Sequence, residues 1–463
     1  VTAAILILFW PALRQPASVL HPTFSPFSDT MVIHWPKARL MAQSWQAGQG
    51  LPHWTPLILS GMPLAANQLA MLSYPPAWLF LLFPLAPTFN LLFFFFFFLG
   101  GAVVYFFFLV VVLRPAAAAL LGGLTFALNG KLLAHAAGGH VSMVGAFGWM
   151  PWALFGVMKL LSSTEPQAGP AAAPFRPISL AWALFVGVVL ALQIASHTLP
   201  LIYSVYLIGA MVAWYFFGSR TWRPIPGTRP FAGRQLLNAA GLLLAAVTLA
   251  AMLGAGQLLP LLELAPFSNR SLSLAQAAEY SVSPGQLIVG LLLPSAQAGH
   301  ELVIYLGLIP LLLAPLGLTR SNRWSWYYAA VLLFTVLFAL GPATPVHGLI
   351  YQFVPGFRWV RTPARIFFVG AMAASVLAGF AADRLTTARW PLRRPKSVTL
   401  VAVALGATAL LLGLGLALAF GPPLCVAGWA GMPANMGAAN MHAAKADQAE
   451  FMKMMKASFS ERG

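Results

Sequence analysis

The chain has 463 residues, of which 60% are hydrophobic and only 8% are charged, and its mean hydropathy is +0.81. Soluble globular domains carry about 25% charged residues, so this composition excludes a soluble enzyme, a disordered protein and a fibrous protein. The apolar runs are continuous rather than alternating, which excludes a β-barrel and predicts an all-α polytopic membrane protein.

The charge balance is strongly basic, with 26 Lys and Arg residues against 9 Asp and Glu residues and a net charge of +17. In a soluble protein this excess would suggest a nucleic-acid partner, but the cytoplasmic loops of membrane proteins normally carry excess Lys and Arg. We therefore expect the lipid bilayer, and no nucleic acid, as the partner of the basic residues. The single cysteine, Cys425, excludes an internal disulfide.

Apolar stretches of about 17–25 residues, long enough to cross a bilayer, recur along the chain. They predict about eleven transmembrane helices, and the first is expected to stay in the protein because no signal-cleavage site follows it. A short interfacial helix is predicted at 76–87, and a Met/Ala/Lys-rich tail at 421–463 follows the transmembrane domain of residues 1–420. The predicted spans are 1–13, 88–112, 116–136, 141–161, 178–195, 199–217, 235–256, 303–319, 325–341, 364–382 and 397–420.

Basic residues between the predicted spans set the orientation of the chain. If residue 1 starts on the inside, the inner loops hold fourteen basic residues against two acids, Glu165 and Asp383. This bias recurs in five separate loops, and it places the long first loop, 14–75, and the later loops 257–302 and 342–363 on the extracytoplasmic face. The inner basic residues are Arg114, Lys159, Arg176, Arg220, Arg223, Arg229, Arg234, Arg320, Arg323, Arg384, Arg389, Arg393, Arg394 and Lys396.

The long first loop holds one acid and several aromatic side chains. Asp29 is the only acid in residues 14–75, and Trp35, Trp45 and Trp54 follow it. A loop of this length is usually functional. Two interpretations of Asp29 are open. Its carboxylate can serve as a general base beside apolar surface, which would raise its pKa, or it can cap a helix, because the sequence Ser-Asp-Thr around it is typical of an N-cap.

Four arginines on the predicted outer face contradict the positive-inside trend, namely Arg270, Arg358, Arg361 and Arg365. They can snorkel to lipid headgroups, or they can bind an anionic phosphate. In the run "FRWVRTPAR", Pro363 separates Arg361 from Arg365. We therefore expect a loop that leads into a helix, with Arg365 in the first turn.

Two histidines and two acids complete the set of candidate binding residues. His140 and His197 occupy similar turns between neighbouring helices, where each can bind a sugar hydroxyl, a phosphate or a metal, or serve as an interfacial turn residue. Glu263 ends a predicted helix among leucines and needs a partner, for which Arg270 is the candidate. Glu301 begins a predicted helix, where an acid either complements the helix dipole or binds substrate.

Several segments occur in a characteristic order between about residues 20 and 385. They are "SDT", "GLPHWTPLILSGMPLAANQLAMLSYPP", "GGHVSMVGAFGWMPWALFGVM", "ASHTLPLIY", "GQLLPLLELAPFSNR", "EYSVSPGQLIVGLLLP", "HELVIYLGLIPLLLAPLGL" and "PGFRWVRTPARIFFVG". In this order they resemble the bacterial YfhO-type membrane proteins, which belong with the polyprenyl-phosphate-dependent GT-C glycosyltransferases.

The resemblance implies a GT-C-like fold and a membrane transferase that moves a sugar from a polyprenyl-phosphate donor to an acceptor. It implies the bacterial cytoplasmic (inner) membrane, within the cell envelope, with the active face extracytoplasmic. By the same resemblance, Asp29 occupies the position of the catalytic base. The second acid of many such enzymes is absent, since Ser28 and Thr30 flank Asp29. No metal ligand is assigned, and a divalent cation is the one cofactor considered.

Two other functions fit parts of the sequence. The lone acid favours a non-catalytic GT-C-like scaffold subunit of a larger complex, which would make other membrane subunits partners. A transporter is disfavoured because the predicted helix centres hold almost no charge, whereas transport sites near the midplane need broken helices and polar groups. A groove from Asp29 to the outer arginines, open to lipid, would support the enzyme.

Overall fold

The computed structural model describes most of the chain up to Thr387 and one short strand beyond it. The predicted helix 397–420 and nearly all of the predicted tail lie outside the described residues, as do Arg114 and Arg270. The described residues are 2–15, 17–22, 28–58, 61–107, 116–164, 177–221, 233–267, 272–293, 299–319, 322–387 and 429–433.

The described part of the chain is mostly helical, with two short antiparallel strand pairs. Strand β1 (Ser18–Pro22) pairs with β4 (Trp429–Pro433), and β2 (Trp54–Thr55) pairs with β3 (Met62–Pro63). The α-helices are α1 (Thr2–Leu8), α2 (Trp10–Arg14), α3 (Trp35–Gln46), α4 (Leu79–Leu82), α5 (Leu85–Phe106), α6 (Ala116–Ala127), α7 (Gly130–Ala137), α8 (Val141–Ser163), α9 (Pro177–Ser196), α10 (Thr198–Thr221), α11 (Gly233–Leu253), α12 (Ala255–Leu264), α13 (Leu274–Ala277), α14 (Pro284–Leu292), α15 (Gly299–Leu302), α16 (Leu308–Leu313), α17 (Arg323–Ala339), α18 (Pro345–Phe353) and α19 (Phe367–Thr387).

Among the described residues, seven helical segments are long and apolar enough to cross a membrane. They coincide with predicted spans two to seven and ten, which confirms an all-α polytopic membrane protein. Two shorter apolar helices, Leu308–Gly317 and Arg323–Ala339, fall at predicted spans eight and nine. The chain forms the short helices α1 and α2 where the first span is predicted. The seven segments are Leu85–Val104, Ala116–Ala137, Val141–Ser163, Pro177–Ser196, Thr198–Phe216, Gln235–Leu253 and Pro363–Thr386.

The first outer loop contains a helix that the analysis of apolar runs does not detect. A five-residue π-helix, Thr30–His34, runs directly into α3. Pro36 lies at the junction of the π-helix and α3, where it has no backbone N–H to donate to the preceding turn. Helix α3 ends shortly before Gly48, whose φ of +72° lies in the left-handed region that glycine adopts readily. The segment lacks a continuous apolar run, so its helix comes from local propensity and packing.

The two later outer loops are also partly helical. Between residues 272 and 302, helices α13 and α14 each begin at a serine, Ser273 or Ser283, that forms a capping box with the glutamine three residues later. Between residues 342 and 363, α18 begins with Pro345 in its first turn. These elements are too short to span a membrane, which agrees with their predicted position outside it.

The interior of the bundle is dense and aromatic. In the run of six phenylalanines, Phe93, Phe96 and Phe97 are fully buried, whereas Phe98 is exposed. The run is therefore mainly a packing surface of the bundle. Helix α19, which contacts α6 and α17, is almost entirely buried and stacks Phe368 on Phe147 of α8 with ring centroids 3.8 Å apart.

Residues 28–58 and 61–78, which we term the first outer segment after their predicted position, lie across one end of several helices. Gln68 accepts hydrogen bonds from the backbone N–H and the hydroxyl of Thr198, at 2.8 and 3.1 Å, at the turn between α9 and α10. Gln257 of α12 donates to the carbonyl of Ala65 at 3.1 Å, and Trp149 of α8 donates to the Tyr74 hydroxyl at 2.9 Å. Turns predicted to lie on one face of the membrane therefore meet at one end of the bundle.

The orientation of this end can be tested by cysteine labelling. In a Cys425→Ser background, we expect Gln49→Cys, an exposed position after α3, to react with a membrane-impermeant maleimide from outside the cell. Ser162→Cys, exposed near the end of α8, should react only after the membrane is opened. Reaction of both positions from the same side would contradict the orientation set by the arginines.

Candidate functional site

A tight turn at Gly138-Gly139 brings the first outer segment against the end of α7. Gly139 has a φ of +86°, and a Cβ on it would lie 2.3 Å from both the Ser28 hydroxyl and the Thr30 backbone nitrogen, so only glycine fits. The backbone N–H of Asp29 donates to the Gly138 carbonyl at 3.0 Å. This contact fixes Asp29 beside His140, the next residue of the turn.

The Asp29 carboxylate is paired with His140 rather than with a helix end. His140 Nε2 lies 3.0 Å from Asp29 Oδ2. Asp29 precedes the π-helix Thr30–His34, but its side chain makes no capping hydrogen bond, so the capping interpretation is wrong. The Asp29 side chain is 40% exposed, whereas that of His140 is almost buried. The pair therefore stands at the edge of the protein interior.

The electrostatics of this pair differ from the sequence-based expectation, which was a raised pKa for Asp29. Burial alone would raise the pKa of the Asp29 carboxyl, but the hydrogen bond from His140 opposes burial, and the pKa is lowered. Burial lowers the pKa of the His140 imidazole. Asp29 is therefore ionised at neutral pH, and a neutral His140 donates its Nε2–H to it.

Behind this pair, a predicted membrane-spanning segment is broken, and the break places polar side chains in the interior. Asn129 separates α6 from α7, and its side chain accepts a hydrogen bond from the backbone N–H of Leu132 at 2.9 Å as an N-cap. The Gly130 N–H donates to the Tyr305 carbonyl at 2.9 Å, and a Cβ on Gly130 would lie 2.8 Å from that oxygen. The first turns of α7 thus carry Lys131 and His135 into the interior.

Glu301 lies at the centre of the buried charges. Its carboxylate accepts hydrogen bonds from Arg365, with Nε 2.9 and 3.1 Å from the two oxygens, and from Nη2 of the same guanidinium. His135 Nε2 lies 3.2 Å from Glu301 Oε2, and Lys131 Nζ donates to the Glu301 backbone carbonyl. Burial opposes ionisation of Glu301, but the hydrogen bond from Arg365 holds its pKa well below the usual range.

Three imidazole rings connect the Asp29 carboxylate to the buried Glu301 carboxylate. The ring centroids of His135 and His140 are 5.1 Å apart, and those of His140 and His300 are 4.6 Å apart. His300 Nε2 lies 3.6 Å from Glu301 Oε1, and its side chain is 33% exposed. A continuous set of polar side chains therefore runs from the exposed edge to the interior. We term it the outer cluster, and its members are Asp29, Lys131, His135, His140, His300, Glu301 and Arg365.

The outer arginines predicted to bind phosphate have separate positions. Arg365 lies on the short 3₁₀ helix Pro363–Ile366 that leads into α19, as the position of Pro363 predicts, and points into the cluster. Arg361 forms an exposed ion pair with Glu279. Thr362 between them has a left-handed φ of +68°, which turns the chain and directs the two side chains apart.

The remaining predicted residues lie elsewhere. Arg358 is exposed, lies over the Tyr351 ring and lines a surface cavity that contains no member of the outer cluster. Glu263 is exposed on α12, and its predicted partner Arg270 lies outside the described residues. His197 makes a local contact, in which its Nδ1 accepts from the Leu199 N–H at 3.2 Å. Glu301 lies in the first turn of α15, as predicted, and its carboxylate also binds Arg365.

Lys131, His135 and His300 are members of the outer cluster that the sequence pattern did not indicate. Lys131 and His135 lie inside an apolar stretch that was treated only as a span. A charged residue in such a stretch is rare and usually functional, so Lys131 was a usable signal. His300 was considered only as the neighbour of Glu301. Its proximity to His140 depends on tertiary packing, which spacing along the chain does not reveal.

Comparison with known proteins bears on the fold. The chain matches no protein-family model and no curated protein sequence. Among solved structures it is similar to the arabinofuranosyltransferase AftD from mycobacteria, with 15% identity over 92% of this chain and 26% of that chain and a TM-score of 0.53. It therefore spans about a quarter of AftD. Structures with TM-scores below 0.5 include ArnT from Cupriavidus metallidurans bound to undecaprenyl phosphate and the oligosaccharyltransferase AglB from Archaeoglobus fulgidus in complex with an inhibitory peptide and a dolichol-phosphate.

ArnT has 15% identity over 82% of this chain and 59% of that chain, with a TM-score of 0.43. AglB has 13% identity over 93% of this chain and 56% of that chain, with a TM-score of 0.44. The likeness to AftD shows the fold alone. The chain has a GT-C-like fold. The predicted fold class is thereby confirmed, whereas membership of the YfhO-type proteins is not.

The Glu301–Arg365 ion pair should contribute strongly to stability. Glu301→Gln removes the charge opposite a largely buried guanidinium, and breaking such a pair costs about 3 kcal/mol. We use the lower end of the usual range because 21% of the Arg365 side chain is exposed. We expect the midpoint of thermal unfolding in detergent to fall by several degrees. The exposed Glu263→Gln is the matched control, and equal midpoints for the two variants would contradict the assignment.

Proposed function

We propose that this protein is a membrane glycosyltransferase that moves a sugar from a polyprenyl-phosphate donor to an acceptor hydroxyl on the extracytoplasmic face of a bacterial cytoplasmic membrane. The observation that carries the proposal is the Asp29 carboxylate, which is half-exposed at the edge of the buried outer cluster. The GT-C-like fold supports it, as does the order of segments that resembles the YfhO-type proteins.

In the proposed reaction, Asp29 acts as the general base. The acceptor oxygen forms a bond to the anomeric carbon of the donor sugar while the bond from that carbon to the phosphate oxygen breaks. Asp29 takes the hydroxyl proton, and the polyprenyl phosphate leaves with the bonding electron pair. The lowered pKa of Asp29 keeps its carboxylate ready to accept the proton at neutral pH, and the hydrogen bond from His140 fixes its orientation.

The leaving phosphate is anionic and needs cationic partners. Arg361 pairs with Glu279 at the surface and contacts no member of the outer cluster, so we assign the phosphate to other cations. Arg365 uses Nε and Nη2 on Glu301, which leaves Nη1 as a donor. Lys37 on α3 has no ion-pair partner among the described residues, and it lies close enough to Asp29 for the carboxylate charge to act on it. We assign the phosphate to Lys37 and Arg365.

Lys37 is mostly buried, and its ammonium group responds to the charges around it. Burial lowers the pKa of its ammonium group to about 8, although the charge of Asp29 opposes this. A dianionic or monoanionic phosphate beside it would favour the charged ammonium. Binding of the donor therefore favours the protonated form of Lys37.

A non-catalytic scaffold subunit is the alternative function. It is favoured by two observations, namely that Asp29 has no adjacent second acid and that the first outer segment is anchored at the turn before α10 through Gln68. A scaffold would conserve the charge network for folding and bind no donor. The transfer assay below separates the two functions.

Asp29→Asn tests the catalytic role directly. The amide keeps the size of the side chain and can still accept a hydrogen bond from His140, but it cannot take a proton. We expect the purified variant, in liposomes with undecaprenyl-phosphate-linked sugars, to transfer sugar about 10²–10⁴-fold more slowly than the wild type. Donor consumption and product are measured by mass spectrometry. Glu165→Gln, on a predicted inner loop, is the matched carboxylate-to-amide control and should keep the wild-type rate.

The outcomes of this assay are distinct. Wild-type rate in Asp29→Asn, with an unchanged thermal midpoint, would overturn the base assignment. A wild-type protein that consumes none of the undecaprenyl-phosphate-linked donors would favour the scaffold function instead.

A further inference from the structure

The orientation of the His135 ring leaves two electron-pair acceptors facing each other. His135 Nδ1 lies 3.1 Å from the backbone carbonyl of Lys131, and Nε2 lies 3.2 Å from Glu301 Oε2. Both oxygens can only accept, and a neutral ring carries one hydrogen, so one ring nitrogen faces its oxygen with a lone pair. With the hydrogen on Nδ1, the arrangement usual for a histidine that ligates a metal, this lone pair is on Nε2 and faces Glu301. Two acceptors at this distance repel each other unless a cation lies between them, either a proton or a metal ion.

A proton is the less favourable of these cations. His135 is fully buried, and an imidazolium there would have no contact with water. A metal ion instead forms bonds to several ligands at once, and these bonds repay its dehydration.

His140 supplies a second unused lone pair. His140 Nε2 lies 3.0 Å from Asp29 Oδ2 and donates its hydrogen to that oxygen, which leaves the lone pair on Nδ1. This Nδ1 atom is buried and has no hydrogen-bond partner among the described residues. Histidines that ligate metals usually donate their other ring N–H to a carboxylate or a backbone carbonyl. His140 and His135 show these two arrangements, through Asp29 and Lys131.

The spacing of the groups suits one ion. One ligand atom from each of His135, His140 and Glu301 can be chosen so that all three lie within 4.8 Å of one another. Bonds of about 2.0–2.1 Å to a tetrahedral ion require separations near 3.4 Å, so side-chain shifts of about 1 Å close the site. His300, whose ring centroid is 4.6 Å from that of His140, approaches from the exposed side.

We propose that His135, His140 and Glu301 bind one transition-metal ion of the Zn²⁺ class at the centre of the outer cluster. Two imidazole ligands disfavour Mg²⁺ and Ca²⁺, which prefer oxygen ligands. Three protein ligands leave a coordination position toward His300 and the exposed edge, as in metal sites that bind a small ligand or water. In this arrangement Asp29 orients the metal ligand His140 and also faces the sugar acceptor of the proposed reaction. The metal site does not depend on the proposed sugar transfer.

Metal analysis tests this proposal without any donor. The full chain is purified in detergent with an affinity tag that contains no histidine, stripped with a chelator and reloaded with Zn²⁺ or Co²⁺. We expect about one ion per chain by elemental mass spectrometry, and visible Co²⁺ absorption bands typical of mixed nitrogen and oxygen ligands. His135→Ala and His140→Ala should each weaken Zn²⁺ binding by at least about tenfold.

The control is His347→Ala, which removes another buried histidine, packed against Phe338, and should keep wild-type binding. If an alanine variant does not fold, His135→Gln and His140→Gln replace it, since glutamine fills the space with weaker ligands. A wild-type protein that binds no Zn²⁺, or equal Zn²⁺ binding by the folded His135 and His140 variants, would overturn the metal site. Either result would leave the Asp29 transfer assay unaffected.

Discussion

The buried Glu301 carboxylate joins parts of the chain that are far apart in sequence. Arg365, 64 residues away, binds it from the short helix before α19, and His135 approaches it from α7. Lys131 also holds the Glu301 backbone. A carboxylate in this position is tolerated only with such partners, since unpaired burial of a charge is costly. The ion pair therefore fixes how the last described span, the broken span and the outer loops are arranged, and hence where the imidazole rings lie.

Two glycine contacts complete this arrangement at the outer surface. Gly130 lets the broken span approach Tyr305, and Gly139 lets the first outer segment approach the turn after α7. The second contact places Asp29 at the exposed end of a cluster whose interior end is Glu301. One connected set of side chains therefore runs from the half-exposed base Asp29 to the buried Lys131 and Glu301. The chemistry proposed for the protein depends on this arrangement.

Much of the fold could be predicted because its cause is local. Continuous apolar runs define spans, and the inner arginines assign Asp29, His140, Glu301 and Arg365 to one face. The contacts among them could not be predicted, since they depend on packing over long sequence separations. Arg361 is bound by Glu279, 82 residues away, although its spacing from Arg365 suggested a shared phosphate site. The helix within the first outer loop was missed because it has no apolar run.

The proposed function requires that a polyprenyl-phosphate-linked sugar binds at Asp29, with its phosphate on Lys37 and Arg365. The most direct measurement is mass spectrometry of the lipids that remain bound to the protein purified gently from bacterial membranes, compared with Lys37→Ala purified in parallel. We expect a polyprenyl-phosphate, with or without its sugar, on the wild-type protein, and much less of it on the variant. Ordinary phospholipids alone on both proteins would contradict it.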